Sequence, residues 1–106
     1  MNKILVIEDD ESQNELLRAY LSPKYDCNFC NNLSSARSLL LKATFDLILL
    51  DLRLPDGDGL DLCKDLSSKD GISSTPIIIM SAENAAAKKV AGLRLGADDY
   101  IAKPLE

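Results

Sequence analysis

The segment Asp46-Leu47-Ile48-Leu49-Leu50-Asp51 contains four consecutive apolar residues that lead directly into an acid. Short apolar runs without alternation are typical of strands buried on both faces of a parallel sheet. Three other apolar runs also end at a polar side chain: Ile4-Leu5-Val6-Ile7 before Glu8, Ile77-Ile78-Ile79-Met80 before Ser81, and Tyr100-Ile101-Ala102 before Lys103. The pattern therefore predicts several buried strands that each carry a polar group at the carboxyl end.

Stretches with helical periodicity separate these runs, so strands and helices alternate along the chain. The predicted strands cover residues 3–7, 26–30, 46–50, 77–80 and 99–102. The predicted helices cover residues 12–21, 33–43, 60–66 and 84–95. Strict alternation of this kind predicts an α/β fold with an open five-stranded parallel sheet. With right-handed crossovers the strand order is 2-1-3-4-5, which is the order of flavodoxin-like folds.

Apolar residues at helical spacing indicate which side of each predicted helix faces the sheet. The inward sets are Leu16, Leu17, Tyr20 and Leu21 in the first helix, Leu33, Ala36, Leu39, Leu40 and Ala43 in the second, Leu62, Cys63 and Leu66 in the third, and Ala86, Val90 and Leu93 in the fourth. Gly96 is expected to end the fourth helix, because glycine readily adopts the backbone conformation found there.

The predicted topology covers the two faces of the sheet unequally. The second, third and fourth helices lie on one face, and the first helix alone lies on the other. Only three residues follow Lys103, which leaves no room for the fifth helix that usually completes such a fold. We therefore expect residues 1–106 to form one domain that is truncated after the fifth strand. A longer chain or a partner is expected to cover the open apolar face.

Composition excludes several classes of function. The chain has 12 basic and 17 acidic residues and a net charge of −5, which argues against direct binding of nucleic acid. No apolar stretch is long enough to span a membrane. Cys27 and Cys30 lie on one predicted strand and point to opposite faces, so buried thiols in a reducing cytoplasm are expected. The chain contains no histidine and cannot carry a phosphohistidine.

Three acids are expected to lie together at the carboxyl edge of the sheet. A carboxylate at the end of a buried strand, such as Asp51, can act as a nucleophile toward phosphorus, or it can be a loop acid or a helix cap. Glu8 and Asp9 end the neighbouring strand and would repel Asp51. A hard divalent cation such as Mg²⁺ would remove that cost. Alternatively, Asp9 or Asp10 caps the first helix, with Asp10 preferred.

Two further polar groups are expected at the same edge. The ammonium of Lys103 can reach a phosphoryl oxygen there, although a lysine at a strand end is usually solvated. Ser81 can donate a hydrogen bond to a second phosphoryl oxygen, or it can cap the fourth helix. Each signal is weak alone, but the same position on neighbouring strands makes the combination specific.

The segments Ile4-Leu5-Val6-Ile7-Glu8-Asp9-Asp10-Glu11, Asp46-Leu47-Ile48-Leu49-Leu50-Asp51-Leu52-Arg53-Leu54-Pro55-Asp56-Gly57 and Gly96-Ala97-Asp98-Asp99-Tyr100-Ile101-Ala102-Lys103-Pro104 resemble the receiver domain of bacterial two-component response regulators. The resemblance covers the whole chain in order and spacing. It implies that Asp51 is the phosphoacceptor and takes its phosphoryl group from a sensor histidine kinase or a phosphotransfer protein. It also implies a chain that is not an enzyme in the usual sense, although it catalyses its own phosphorylation and dephosphorylation.

The resemblance assigns a role to each site residue in turn. Asp9, Asp51 and the backbone carbonyl of Arg53 would ligate Mg²⁺ directly, and Glu8 would act largely through water. Ser81 and Lys103 would contact the phosphoryl group. Tyr100 would be the switch residue that turns inward as Ser81 moves toward the phosphate; an aromatic packed on the last strand is the alternative. The peptide between Lys103 and Pro104 is expected to be cis.

The resemblance also implies partners. The fourth helix and fifth strand would form the switching surface that controls an output domain, expected to be transcriptional and absent from this chain. Lys89 with Asp98 and Asp99 resembles the pattern of the winged-helix class of regulators, which implies a homodimer through that surface. We further hypothesise that Arg53 and Glu83 meet over the site mouth and slow dephosphorylation.

Three other functions compete with the receiver interpretation. A pseudo-receiver that only binds proteins would have lost a site residue, whereas every chemical position is filled here. An aspartyl-phosphate phosphatase places nucleophile and acid on one strand end, whereas these acids end different strands. A flavodoxin-like cofactor binder needs a phosphate-cradling loop after the first strand, whereas Glu8-Asp9-Asp10-Glu11 would repel phosphate unless a metal is bound.

Overall fold

The computed structural model describes residues 2–68, 75–81 and 86–103 of the chain. Five parallel strands form the central sheet: β1 (Lys3–Ile7), β2 (Asp26–Cys30), β3 (Leu47–Asp51), β4 (Ile77–Ser81) and β5 (Asp99–Ala102). Their order in the sheet is β2-β1-β3-β4-β5, which confirms the predicted flavodoxin-like topology. The predicted third and fourth strands stopped one residue short, because Asp51 and Ser81 are each the last residue of a strand.

Within the described residues, four helices connect the strands: α1 (Glu11–Leu21), α2 (Leu33–Lys42), α3 (Gly59–Ser68) and α4 (Ala86–Arg94). The Asp10 side chain accepts a hydrogen bond from the Ser12 N–H, so Asp10 is the N-cap of α1, as preferred from the sequence. Gly96 follows α4 with a φ of 110°, consistent with its predicted role at the helix end. The predicted start of the fourth helix at Asn84 lies outside the described residues.

The two faces of the sheet carry separate apolar cores. Alternate residues of the central strands, including Leu5, Ile48 and Ile79, face α2 and α3 in the larger core. The residues between them, including Val6 and Met80, face α1 in the smaller core. The first three helices therefore lie on the predicted faces, and Gly92 of α4 approaches Ile79 of the larger core, on the face predicted for the fourth helix. Burying one such side chain stabilises the fold by about 1.5–3 kcal/mol, so both faces contribute to stability.

The inward side of α1 differs from the prediction at two residues, Tyr20 and Leu16; Leu16 is half-buried but is not packed on either core. Leu17 and Leu21 pack on the smaller core, but Tyr20 is 64% exposed. Successive helical residues are about 100° apart, so Tyr20 lies well to one side of the line through Leu17 and Leu21. Asn14 occupies the buried position in its place. The predicted inclusion of Tyr20 was wrong because it followed apolar character rather than angular position.

The predicted inward side of α4 was also wrong in part. Val90 and Leu93 are 46% and 41% exposed, whereas Gly92 between them is buried. A Cβ atom at Gly92 would lie 2.5 Å from Ile79 Cδ1, so α4 approaches the sheet through the glycine. A residue without a side chain leaves no trace in a pattern of apolar residues, so the pattern predicts Val90 and Leu93 as the buried side instead.

The face covered by α1 contains an apolar cavity of about 270 Å³. Its lining includes Ile4, Tyr25 and Leu49, next to the end of α1. On the same face, Met80 is only 1% exposed, whereas Ile78 of the same strand is half-buried. The predicted absence of a fifth helix concerns the chain beyond Lys103, which lies outside the described residues.

The cysteines are thiols at separate places in the fold. Cys27 packs on the smaller core and Cys30 in the larger one, so they face opposite sides of the sheet, as predicted. Burial raises the pKa of Cys30 to about 11, which keeps it protonated at neutral pH.

Among the described helices, none is both long and apolar enough to cross a membrane.

Candidate functional site

The carboxyl ends of four adjacent strands, β1, β3, β4 and β5, meet at one edge of the sheet. Each presents a polar side chain that was predicted from the sequence: Glu8 and Asp9 follow β1, Asp51 ends β3, Ser81 ends β4 and Lys103 follows β5. Parallel pairing brings these groups together because every strand runs in the same direction. The structure thus assembles at one place the residues that were selected from four separate segments.

Glu8, Asp9 and Asp51 form an acid cluster whose carboxylate oxygens lie within 4.8 Å of one another. Glu8 is fully buried and Asp51 is 5% exposed, whereas Asp9 lies at the surface. An oxygen-only donor set with one open side suits a hard cation such as Mg²⁺, which keeps part of its hydration shell. The donor set of the acid cluster therefore fits the metal predicted from the sequence.

Lys103 places its ammonium between the two buried acids. Its Nζ pairs with Glu8 Oε1 and lies 3.5 Å from Asp51 Oδ2. The Lys103 side chain is only 12% exposed, so water screens these charges less than at an open surface. The predicted alternative, a solvated lysine at the strand end, is not what the structure contains.

The environment of Glu8 raises the pKa of its carboxyl group above the ordinary value. Burial is the main cause, and the nearby Asp51 adds to it. The ammonium of Lys103 and the Asp10 N–H, which donates to Glu8 Oε2 at 3.2 Å, act in the opposite direction. The net increase means that one positive charge from Lys103 does not fully offset the burial of this acid.

A buried amide holds the backbone at the start of the acid cluster. Asn14 of α1 is 4% exposed, and its Nδ2 donates a hydrogen bond of 2.9 Å to the Glu8 carbonyl oxygen. The Glu8 N–H donates to the Cys30 carbonyl oxygen at 3.0 Å. The turn between β1 and α1 is therefore fixed from two sides. Sequence reasoning missed Asn14, although a polar residue on the same helix side as Leu17 and Leu21 was a usable signal.

The loop after Asp51 forms a short antiparallel ribbon, in which Arg53–Leu54 pairs with Gly57–Asp58. The Arg53 N–H points to Asp51 Oδ1 at 3.4 Å, a long contact for a hydrogen bond. The Gly59 N–H donates to the Leu52 carbonyl oxygen at 2.8 Å, which closes the loop at the start of α3. The backbone of Arg53 thus lies beside Asp51, where its carbonyl was predicted to bind the metal.

Ser81 and Lys103 are neighbours across the two last strands. The Lys103 N–H donates to the Ser81 carbonyl oxygen at 2.8 Å, and Ser81 is 1% exposed. Tyr100 is half-buried and packs against the larger core. Asp98, predicted as part of a dimer contact, accepts a hydrogen bond from the Ile77 N–H at 2.8 Å and so has a structural role within this chain.

This geometry agrees with what is found in related proteins. The family model that describes the response regulator receiver domain matches residues 4–106. The chain belongs to the response regulator receiver domain family. Receiver domains are signalling domains rather than enzymes, they are phosphorylated on an aspartate, and they bind Mg²⁺ at an acidic pocket.

Individual relatives give the same result for this receiver domain. It is 41% identical over 103 residues, 96% of the chain, to the transcriptional regulatory protein ResD of Bacillus subtilis. It is 39% identical over 107 residues, 100% of the chain, to the response regulator ArlR of Staphylococcus saprophyticus. The receiver domain spans 42% and 47% of the lengths of these two relatives, less than half in each case.

Solved structures support the same fold for the receiver domain. A two-component response regulator from Clostridium difficile superimposes with a TM-score of 0.92 at 32% identity, covering 100% of this chain and 86% of that one.

Glu83 and Pro104 lie outside the residues that the structure describes, so the contact of Glu83 with Arg53 and the cis peptide before Pro104 stay predictions.

Proposed function

We propose that Asp51 of this receiver domain is the phosphoacceptor and takes its phosphoryl group from a phosphohistidine of a sensor kinase or a phosphotransfer protein. The observation that carries the proposal is the position of Asp51. Its carboxylate ends the central strand β3, inside the acid cluster and 3.5 Å from the Lys103 ammonium. A carboxylate oxygen attacks phosphorus as the bond between phosphorus and the donor imidazole nitrogen breaks, and the imidazole keeps the electron pair.

Lys103 acts on the charge of the transferred group. Its ammonium already lies between Glu8 and Asp51, so a small movement brings it to an oxygen of a phosphoryl group on Asp51. Ser81, at the end of the next strand, donates a hydrogen bond from its hydroxyl group to another phosphoryl oxygen. These two side chains orient the group and stabilise the charge that develops during transfer.

Asp9, Asp51 and the Arg53 carbonyl oxygen would hold Mg²⁺ directly, and Glu8 would act largely through water. The acid cluster supports this assignment, because its carboxylate oxygens lie within 4.8 Å of one another. When bound, Mg²⁺ neutralises charge on the phosphoryl oxygens and lets the acids approach an anionic donor. With this cation the chain promotes its own phosphorylation and dephosphorylation.

Phosphorylation is transmitted through the surface formed by α4 and β5. Ser81 moves toward the phosphoryl group, and Tyr100 turns into the space that Ser81 leaves. The exposed residues Val90, Leu93 and Ile101 supply apolar area on this surface for an output domain or for a second copy of the chain. The name of ResD supports an output domain that regulates transcription, and cysteines in the thiol form support a location in the cytoplasm.

The direct test measures intact mass after incubation with acetyl phosphate, with and without Mg²⁺. The expected result is the addition of one phosphoryl group that requires Mg²⁺ and is lost in Asp51→Asn. Asp46→Asn is the matched control, because Asp46 precedes the same strand at its opposite end and is exposed. Failure of the folded wild-type chain to gain mass would contradict the proposal and favour a module that only binds other proteins.

A further inference from the structure

Asp56 lies at the tip of the ribbon that follows Asp51, yet its contacts are with a different helix. Its Oδ1 accepts a hydrogen bond from the Leu33 N–H at 2.8 Å, and its Oδ2 accepts one from the Ser34 N–H at 2.9 Å. These are the first two residues of α2, more than twenty positions earlier in the chain. Both oxygens of one carboxylate therefore connect the ribbon to the start of α2.

The start of α2 is suited to this connection. Its first turn contains no acidic residue, so Asp56 supplies the negative charge that favours the positive end of a helix. The N-cap residue Asn32 uses its side chain for a later position, the Ser35 N–H at 2.7 Å. Asn32 and Asp56 thus satisfy different backbone donors of the same helix end.

Steric fit adds to the hydrogen bonds. Gly57, the residue after Asp56, has a φ of 152°, and a Cβ atom there would lie 2.9 Å from Leu33 Cδ1. The ribbon tip therefore packs closely against the first residue of α2. Pro55, Asp56 and Gly57 are all exposed, so burial contributes little to holding the tip, and its position depends on the contacts to α2.

The ribbon transmits this position to the metal-binding residues. Arg53 pairs with Asp58 and Leu54 pairs with Gly57, so this pairing connects the tip of the ribbon to its base. The base of the ribbon carries Arg53, whose N–H lies 3.4 Å from Asp51 Oδ1. A displacement of the tip changes the direction of the Arg53 backbone beside the acid cluster.

We propose that Asp56 is a positioning residue for the metal site, because its carboxylate holds the ribbon against α2 and thereby orders the Arg53 carbonyl beside Asp51. This inference rests on the proposed function, in which that carbonyl is a ligand of Mg²⁺. Asp56 does not touch the cation. It lowers the cost of binding by ordering a ligand before the cation arrives.

The test titrates MgCl₂ into the unphosphorylated chain by isothermal calorimetry and records the melting temperature Tm of each variant without Mg²⁺. Asp56→Ala is expected to raise the Kd for Mg²⁺ about tenfold, the low end for groups that orient metal ligands. Asp56→Asn keeps one acceptor oxygen and is expected to give an intermediate Kd. Its milder change also keeps the test valid if Asp56→Ala does not fold.

Asn32→Ala is the matched control. It removes a side-chain hydrogen bond from the same end of α2 and lowers Tm, but it leaves the ribbon contacts in place. Its Kd for Mg²⁺ is expected to stay within about twofold of the wild-type value. A purely structural role for Asp56 predicts the same Kd in the Asp56 variants and in Asn32→Ala, and that result would overturn the inference.

The two proposals fail in different ways. If the wild-type chain binds Mg²⁺ through Asp51 and the Asp56 variants bind it equally well, the proposed function stands and the positioning role is wrong. If the wild-type chain does not bind Mg²⁺, or if Asp51→Asn binds it equally well, the proposed metal site is wrong. The role of Asp56 is then wrong with it.

Discussion

Acids occupy two contrasting environments in this receiver domain. At the acid cluster Glu8 is fully buried, and burial together with Asp51 raises the pKa of its carboxyl group. Only two residues later, Asp10 lies at the surface, where hydrogen bonds from the hydroxyl and the N–H of Ser12 lower its pKa. Asp56 resembles Asp10, because the N–H groups of Leu33 and Ser34 lower the pKa of its carboxyl group.

The contrast shows that the free-energy cost of a carboxylate charge depends on its surroundings and not on the type of residue. The start of a helix offers unpaired N–H groups and a positive dipole end, so an exposed acid there is stabilised as an anion. At the end of β1, the hydrogen bond from the Asp10 N–H does not offset the burial of Glu8, and a second acid, Asp51, raises the cost of its charge further. The surroundings of Glu8 therefore disfavour its charged form, and perturbed groups of this kind are common at functional sites.

The largest expected effect comes from removing the cation that holds the acid cluster together. Lys103→Met is expected to lower the free energy of unfolding by about 3 kcal/mol at neutral pH without Mg²⁺, because it leaves a buried carboxylate uncompensated. Urea denaturation followed by circular dichroism measures this. The loss is expected to shrink when Mg²⁺ is added, since the cation then supplies positive charge.

Lys64→Met is the matched control for that substitution. Lys64 is exposed on α3, and its replacement is expected to change the free energy of unfolding by no more than about 0.5 kcal/mol. Equal losses in the two variants would mean that the pairing of Lys103 with Glu8 does not stabilise the domain in solution.

The second prediction concerns Glu8 and has the opposite sign. Glu8→Gln is expected to raise the free energy of unfolding by about 1 kcal/mol at neutral pH without Mg²⁺, because the amide carries no charge to bury. The folded-state pKa of Glu8 is raised above the ordinary 4.5, so the wild-type chain loses stability as the pH rises through the raised pKa. The difference in the free energy of unfolding between Glu8→Gln and the wild-type chain is therefore expected to disappear as the pH falls toward 4.5.

Urea denaturation across a pH series measures this second effect, with the exposed residue Glu15 as the control position. Glu15→Gln is expected to show no comparable gain. A loss of stability in Glu8→Gln would mean that the attraction between Glu8 and Lys103 outweighs the cost of burial, and the contrast between the two environments would then be weaker than we describe.

The smallest expected effect is that of Asp10→Asn. Asparagine is an equally good N-cap, so the variant loses the charge but keeps an acceptor for the Ser12 N–H. We expect Tm to fall by a few degrees at most. The pKa of Asp10 is lowered, so its charged form adds stability above the ordinary value of 3.8, and that stability is lost as the pH falls through the lower folded-state pKa.

Thermal denaturation of Asp10→Asn and the wild-type chain over a range of pH gives the measurement. The two Tm values are expected to converge at low pH, where Asp10 is neutral. A higher Tm for the variant at neutral pH would show that repulsion from the nearby acid cluster outweighs the favourable end of α1.

Sequence patterns predicted the strands more accurately than the helix faces. A strand buried on both sides must be apolar at every position, so its run is visible without knowledge of its neighbours. A helix has several sides, and the pattern alone did not distinguish Tyr20 and Val90 from buried residues. The contact side of α4 depends on Gly92, which has no side chain to count.

The sequence by itself determined the order of the strands and the polar residue that ends each of them, because apolar periodicity and right-handed connections leave few arrangements. It also determined that Glu8, Asp9, Asp51 and Lys103 share one edge. The tertiary structure alone decided how far each acid is buried, that Lys103 lies between two of them, and that Asp56 holds the start of α2. These properties depend on partners distant in the chain, and no local pattern encodes the distance between them.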